Sequence, residues 1–224
     1  MSYTLTLQKI EPVTHDTNHL VFNRPDGFDF KPGQATDFAL NKDGWRDEQR
    51  PFTFTSLPDE DTLEFVIKSY PDHDGVTEQI AGLKPGDTVT IEDPWGAIND
   101  EGKGTFIAGG AGITPFIAIL RDRLERNGTL EGCKLLFSNS TEKDIILREE
   151  FEGMKGLETI FTVTDQDEAS VATQKIDKDF LAQHITPSEG QYYICGPDKM
   201  VEELSDTLKE LGVDEDRIVT EDFD

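Results

Sequence analysis

The chain changes rhythm once, near residue 100, and that change limits the folds open to it more than any single motif does. From Tyr3 to about Asp93, short runs alternate apolar and polar residues, the period of two expected of antiparallel strands with one face in a core. The candidate strands are 4–10, 19–23, 35–40, 52–56, 63–69 and 88–92. Turn chemistry separates them: Arg24-Pro25-Asp26-Gly27, Lys31-Pro32-Gly33, Leu57-Pro58-Asp59-Glu60 and Lys84-Pro85-Gly86-Asp87 each supply a fixed φ or a residue tolerant of positive φ. A small all-β barrel fits this half. After Asp100-Glu101-Gly102-Lys103-Gly104 short apolar strands alternate with helix-length amphipathic stretches, which predicts a parallel sheet with crossover helices. The strands read as 105–108, 134–138, 158–164, 191–195 and 217–220, and the helices as 115–126, 147–154, 178–182 and 198–211. The expected architecture is therefore two-domain, an antiparallel Greek-key β-barrel over 1–100 followed by an α/β parallel-sheet domain over 101–224, with the boundary near 99–104. A length of 224 residues agrees with two domains of ordinary size.

Charge removes several functions. With 46 acidic against 21 basic side chains the net charge is −25, which excludes a nucleic-acid or anionic-membrane partner that needs a basic face. So large an acid excess suggests either a source with high internal salt, where screening keeps such a surface compact, or simply an acidic bacterial protein. The longest apolar runs are too short to cross a bilayer, and the first residues lack a basic and then apolar leader; a cytoplasmic monomer is expected. Cys133 and Cys195 are the only cysteines, too few for a disulfide framework, a structural zinc site or a cysteine-ligated iron–sulfur cluster. No metal site is expected.

Three segments carry chemistry. In Phe106-Ile107-Ala108-Gly109-Gly110-Ala111-Gly112-Ile113-Thr114-Pro115 a strand runs through a glycine loop into a helix. Glycines let a phosphate approach the backbone, Thr114 is placed to cap the helix, and Pro115 suits its first turn. Read alone, the loop is either a phosphate cradle or a tight turn. In Tyr192-Tyr193-Ile194-Cys195-Gly196-Pro197 a strand ends in a thiol and a glycine–proline turn; ligands of parallel sheets sit beyond such strand ends, although a lone cysteine also serves as packing. In the barrel, Arg50-Pro51-Phe52-Thr53 offers a guanidinium fork and a hydroxyl, and Gly75-Val76-Thr77 opens a short helix that could meet another phosphate oxygen.

Taken in order, Arg50-Pro51-Phe52-Thr53, Gly75-Val76-Thr77, Asp93-Pro94-Trp95-Gly96, the glycine loop and Cys195-Gly196-Pro197 resemble the ferredoxin–NADP reductase superfamily over nearly the whole chain. The resemblance implies a flavin-binding barrel and a nicotinamide-binding α/β domain. It assigns Arg50 to the flavin phosphate, Phe52 to the place of a usual tyrosine stacked on the flavin, Pro51 to the same segment, and Thr53 to the neighbourhood of the flavin N5. Gly75, Val76 and Thr77 form the second phosphate clamp. Gly110, Gly112, Thr114 and Pro115 take the dinucleotide; Cys195, Gly196 and Pro197 border the nicotinamide; Phe223 matches the terminal aromatic beside the flavin, and Glu221 is an acid of the same tail. Thr53 and Cys195 are the residues placed at the reacting atoms, Cys195 as a shaping contact and not a nucleophile. FAD is implied in preference to FMN, with Tyr70 or His73 as candidate stacking partners of its adenine.

The resemblance further implies hydride transfer from NADH or NADPH to the flavin and single-electron transfer to a small carrier protein, a flavodoxin, ferredoxin or b-type haem protein. The alternatives are a reductase component of an oxygenase, a diffusible flavin reductase, or a non-catalytic flavin- or nucleotide-binding regulatory module. An acidic carrier would need a local basic patch, for which Arg121, Arg123 and Arg126 are the candidates, their other reading being a solvated helix face. The stretch from Phe137 to Ile145, Phe-Ser-Asn-Ser-Thr-Glu-Lys-Asp-Ile, is similar to that of the NADH-dependent cytochrome b5 reductases and has no arginine near Ser140, which favours NADH; Lys143 and Arg148 are the nearby cations that could still hold a 2′-phosphate.

Overall fold

Alternation becomes a barrel because each strand of the first half has one face that only a shared interior can cover. The computed structural model describes residues 1–70 and 75–221. Strands β1 (Tyr3–Pro12), β2 (Thr17–Asn23), β3 (Ala35–Leu40), β4 (Arg50–Thr53) and β5 (Thr62–Lys68), helix α1 (Val76–Ala81) and strand β6 (Thr88–Ile91) follow in the chain. The sheet order is β4-β3-β6-β1-β2-β5 and every pairing is antiparallel. After β4 the backbone leaves β3 for β5. Phe54 N–H donates to the Gln34 carbonyl at 3.0 Å, and Thr55 N–H donates to that of Glu64 at 2.8 Å, so the edges of the sheet are drawn together. Inside, Phe22, Phe38, Phe54 and Phe65 are fully buried and meet edge to face or tilted, with centroids 5.5 Å apart for Phe38–Phe65 and 5.2 Å for Phe54–Phe65.

The second half is a parallel sheet of β7 (Gly104–Gly109), β8 (Cys133–Asn139), β9 (Leu157–Val163), β10 (Ala172–Thr173), β11 (Gln191–Cys195) and β12 (Ile218–Thr220), in the order β10-β9-β8-β7-β11-β12. Helices α2 (Thr114–Asn127), α3 (Arg148–Gly153), α4 (Lys178–His184) and α5 (Asp198–Glu210) cross between strands. β7 is buried along its whole length, as a central strand covered on both faces must be. Phe106 and Ala108 join the core under α2; Ile107 joins Leu136, Tyr192 and Ile194 under α4 and α5. The chain leaves β7 toward β8 on one side and returns as β11 on the other, which opens a crevice beyond the carboxyl ends of β7 and β11. Among the described residues no helix is long and apolar enough to cross a membrane.

The helix that follows the glycine loop starts differently from the sequence expectation. Gly110–Ile113 already forms a tight 3₁₀ turn that runs straight into α2, so Thr114 is its first residue and Ile113 the flanking one. The Thr114 hydroxyl donates to the Ala111 carbonyl at 3.1 Å and does not cap. A cap needs extended backbone at the flanking residue, and Ile113 at φ −69° and ψ −21° is already helical.

Candidate functional site

The barrel and the parallel sheet meet along one cleft of about 710 Å³, a size ordinary for cofactor sites. The barrel contributes Pro51, Phe52 and Thr53 from β4, Val66, Ile67 and Lys68 from β5, and Ala35, Tyr70 and Thr77. The parallel sheet contributes Gly109, Gly110, Ala111, Gly112, Thr114 and Pro115 beyond β7, Ser138, Asn139 and Ser140 beyond β8, and Cys195, Gly196, Pro197 and Met200 beyond β11. Eleven of the residues assigned from sequence thus line one cavity: Pro51, Phe52, Thr53, Thr77, Gly110, Gly112, Thr114, Pro115, Cys195, Gly196 and Pro197. The Phe52 ring is braced edge to face against Phe38, 5.3 Å between centroids at 88°.

The others stand elsewhere. Arg50 does not line the cleft: its guanidinium donates to the Gln49 carbonyl at 2.6 Å and lies 3.4 Å from a Glu48 carboxylate oxygen, with half of the side chain exposed. Val76 turns into the barrel core beside Ile80, because the apolar face of a one-and-a-half-turn helix must point inward; only its backbone remains for a ligand. Gly75 flanks that helix and its carbonyl accepts from Glu78 N–H at 3.1 Å. Phe223 and His73 lie outside the described residues. Arg121, Arg123 and Arg126 do not form a free basic patch. Arg121 is bidentate to Glu150, at 2.6 and 2.9 Å, and donates across to the Thr55 carbonyl of the barrel at 2.9 Å. Arg123 pairs with Asp100, and Arg126 pairs with Asp100 and Asp122. With so many carboxylates available, each cation of α2 finds one.

The glycines of the loop divide the work. A Cβ on Gly112 would lie 2.3 Å from the Cys195 carbonyl oxygen and 2.5 Å from Gly196 N, so this glycine lets the β7 loop touch the β11 turn. Gly110, at φ 53°, would carry a Cβ into open space; its backbone faces the cavity unobstructed. Burial pushes the Cys195 thiol up to about 12, and the nearby Glu221 carboxylate adds to the effect. The thiol is neutral near pH 7, which suits a shaping contact and not a nucleophile. Glu221 also lines the cleft, held by Ala97 N–H at 2.9 Å, which ties this residue to the barrel.

Sequence reasoning missed Lys68, the only cation that lines the cleft among the described residues, and Asp144, which lines it as well. The signal for Lys68 was faint: a charged residue directly after the apolar run Phe65-Val66-Ile67, at the end of β5.

An oxidoreductase FAD-binding domain model matches residues 4–99, and an oxidoreductase NAD-binding domain model matches residues 106–206. The chain belongs to the ferredoxin–NADP reductase superfamily. NADH-cytochrome b5 reductase 2 of Mycosarcoma maydis is 31% identical over an alignment covering 89% of this chain and 63% of that protein. The ferredoxin–NAD(P)+ reductase component of the naphthalene 1,2-dioxygenase system of Pseudomonas putida is 26% identical over 97% of this chain and 68% of its own. The chain thus spans less than two thirds of the length of the M. maydis reductase. Among solved structures, the CS-b5R domains of human Ncb5or in the NAD+ form superpose with a TM-score of 0.87 at 26% identity, covering 98% of this chain and 69% of that one. A Neisseria gonorrhoeae ferredoxin NADP+ reductase with bound FAD and NADP gives 0.86 at 20% identity, covering 98% and 97%, a likeness of fold.

The residues present fit the two cofactors of this superfamily. The cavity has hydroxyls at Thr53 and Thr77, a braced aromatic face at Phe52, one ammonium at Lys68, and an open glycine backbone at the start of α2. Val66, Ile67, Pro115, Pro197 and Met200 give it apolar walls.

Proposed function

We propose that this chain passes electrons from a reduced nicotinamide, NADH in preference to NADPH, through bound FAD to a small electron-carrier protein. The observation that carries this reading is the meeting of Pro51–Thr53 of the barrel with the carboxyl ends of β7 and β11 in one cavity, which brings the two candidate cofactor sites face to face. FAD, when bound, takes two electrons at once and gives them up singly. The protein's share is placement. Thr53 offers its hydroxyl where the flavin ring would lie, Phe52 supports it, and Thr77 anchors phosphate. The open backbone at Gly110 receives the dinucleotide, and the neutral thiol of Cys195 fixes how closely the nicotinamide approaches. We place the boundary between the two units at residues 100 and 101.

The preference for NADH rests on which cations are free. A 2′-phosphate is nearly doubly charged and needs a guanidinium or ammonium at the end of β8. Ser140 supplies none. Arg148 is engaged by Glu142 at 2.9 Å and Glu152 at 2.9 Å and lies over the Phe161 ring; Lys143 alone remains exposed there. The finer reading includes a cytoplasmic monomer; the net charge of −25 fits a source with high internal salt and equally an acidic bacterial protein.

Purified protein is expected to bind FAD, turn yellow, and bleach faster with NADH than with NADPH. Ser140→Arg is expected to raise kcat/KM for NADPH, and Thr53→Ala to slow bleaching at unchanged flavin content by a factor equivalent to about 1 kcal/mol. A protein that binds no flavin by calorimetry overturns the reading; a wild type that prefers NADPH overturns the assignment of the β8 loop.

A further inference from the structure

Three charged groups and a histidine, from both halves of the chain, meet beside the cleft, two of them, Lys68 and Asp144, on its wall. His15 and Asp16 come from the β1–β2 hairpin and Lys68 from the end of β5, all in the barrel; Asp144 comes from the 3₁₀ turn after β8. The Lys68 ammonium lies 3.0 Å from Asp16 Oδ2 and 3.8 Å from Asp144 Oδ1, and His15 Nε2 lies 3.7 Å and 3.6 Å from the same two oxygens. The His15, Asp16 and Asp144 ligand atoms are close enough together to suggest a metal site, but the Lys68 ammonium already stands against both carboxylates and supplies the cation. Asp16 is held from its other oxygen by the Thr14 hydroxyl at 2.8 Å. Burial pushes the Asp16 carboxyl up, yet the hydrogen bonds from Lys68 and Thr14 outweigh it and leave it ionised below the usual carboxylate range.

Asp144 uses its two oxygens for different partners. Oδ2 accepts from the Thr141 backbone N–H at 2.8 Å and the Thr141 hydroxyl at 2.6 Å, which fixes the turn that begins at Ser140 on the cleft wall. Oδ1 faces Lys68 and His15 across the boundary between the two halves. The carboxylate is 9% exposed and the Lys68 side chain 17%, so bulk salt screens this attraction far less than it screens a surface pair.

We propose that Asp144 is a positioning residue: it holds the Ser140–Thr141 turn in place by an ionic clasp to Lys68 of the barrel, beside the His15 ring, and thereby sets the affinity of the cleft for the adenosine end of a dinucleotide. The effect on the dinucleotide rests on the cofactor reading above; the clasp itself does not. Breaking it from the barrel side loosens a turn in the other half of the chain without touching that turn's own residues. That long-range effect separates a clasp from a local cap, in which Asp144 would need nothing but Thr141.

The test measures amide hydrogen exchange and NAD+ affinity in Lys68→Met, Asp144→Asn and the double variant. Lys68→Met is expected to speed exchange at Thr141 by about fivefold while Gly110 to Thr114 keep their protection, and the double variant to exchange no faster than the faster single one, because both changes break one interaction. The dissociation constant for NAD+, by calorimetry, is expected to rise by a similar factor in each single variant and no further in the double. Thr141 exchange unchanged by Lys68→Met, or effects that multiply in the double variant, would overturn the clasp. Exchange that responds as expected in a protein that binds no NAD+ would leave the clasp standing and remove the dinucleotide reading.

Discussion

Gly112 and Gly110 sit two residues apart in the same loop and are glycine for unrelated reasons. At Gly112 a side chain would strike the backbone of the Cys195–Gly196 turn, and backbone cannot swing aside. At Gly110 the cost is conformational alone, since φ is 53° and the space is empty. Gly112→Ala is therefore expected to destabilise by about 2–3 kcal/mol or more through overpacking, and Gly110→Ala by about 1–2 kcal/mol; urea unfolding of the two variants checks the order. Cys195 gives a prediction with a definite sign. Its thiol titrates near 9 in an unstructured chain and at about 12 here. Between those values the folded protein keeps a proton that the unfolded chain releases, so stability falls as pH rises through that window. Cys195→Ser removes this contribution to the slope, and iodoacetamide is expected to alkylate wild-type Cys195 slowly, at a rate that still climbs about tenfold per pH unit through pH 10; a rate that levels off near pH 9 would show an ordinary thiol.

The turn and loop after β8 are tied to the loop after β9 by one carboxylate. Glu142 accepts from Ser170 N–H at 2.6 Å, from Gln166 Nε2 at 3.1 Å and from Arg148 at 2.9 Å. The hydroxyl and backbone of Ser170, with Arg148 after them, hold it down to about 2. A lowered carboxyl contributes above its unfolded value near 4.5, and that contribution is lost as pH falls toward about 2; a carbon-13 carboxyl titration is expected to show this midpoint. The same network engages Arg148 through Glu142 and Glu152. Glu142→Gln is accordingly expected to relax Arg148 and raise kcat/KM for NADPH relative to NADH by roughly threefold to tenfold, about 1 kcal/mol of new charge-assisted contact. Steady-state kinetics with both donors checks it, and an unchanged ratio would show that Arg148 does not limit the choice.

At the scale of the whole molecule the excess of acid governs both stability and partners. Among the described residues thirteen lysine and arginine side chains besides Lys68 lie near enough to a carboxylate for an ion pair, and the excess of carboxylates repels itself. Molar potassium chloride is expected to raise the unfolding temperature by roughly 5 °C or more over low salt, since the Debye length shrinks from about 10 Å at 0.1 M to about 3 Å at 1 M. A flat dependence in differential scanning fluorimetry would remove the high-salt reading and leave the enzyme reading untouched.

What depends on neighbours along the chain was legible in the residues alone. Alternation and short apolar runs between turn residues outlined the barrel and the parallel sheet, with 35–40 and 191–195 matching β3 and β11 end for end, because an apolar run bounded by turn residues marks a strand even where, as in these two, most residues are buried. The glycine loop and the Cys195–Pro197 turn were legible too, as local chain conformations that few residue types allow. The tertiary structure decided what depends on which strands become neighbours. Closing the barrel turned Val76 inward and left Arg50 outside the cleft; packing the β7 loop on β11 made Gly112 a contact point; docking the two halves brought Lys68, His15 and Asp16 to Asp144, more than seventy residues away. Such long-range placements leave no periodic trace, since an ion pair needs only two charges at one point in space, and in a chain this acidic every cation has many carboxylates from which the fold alone selects.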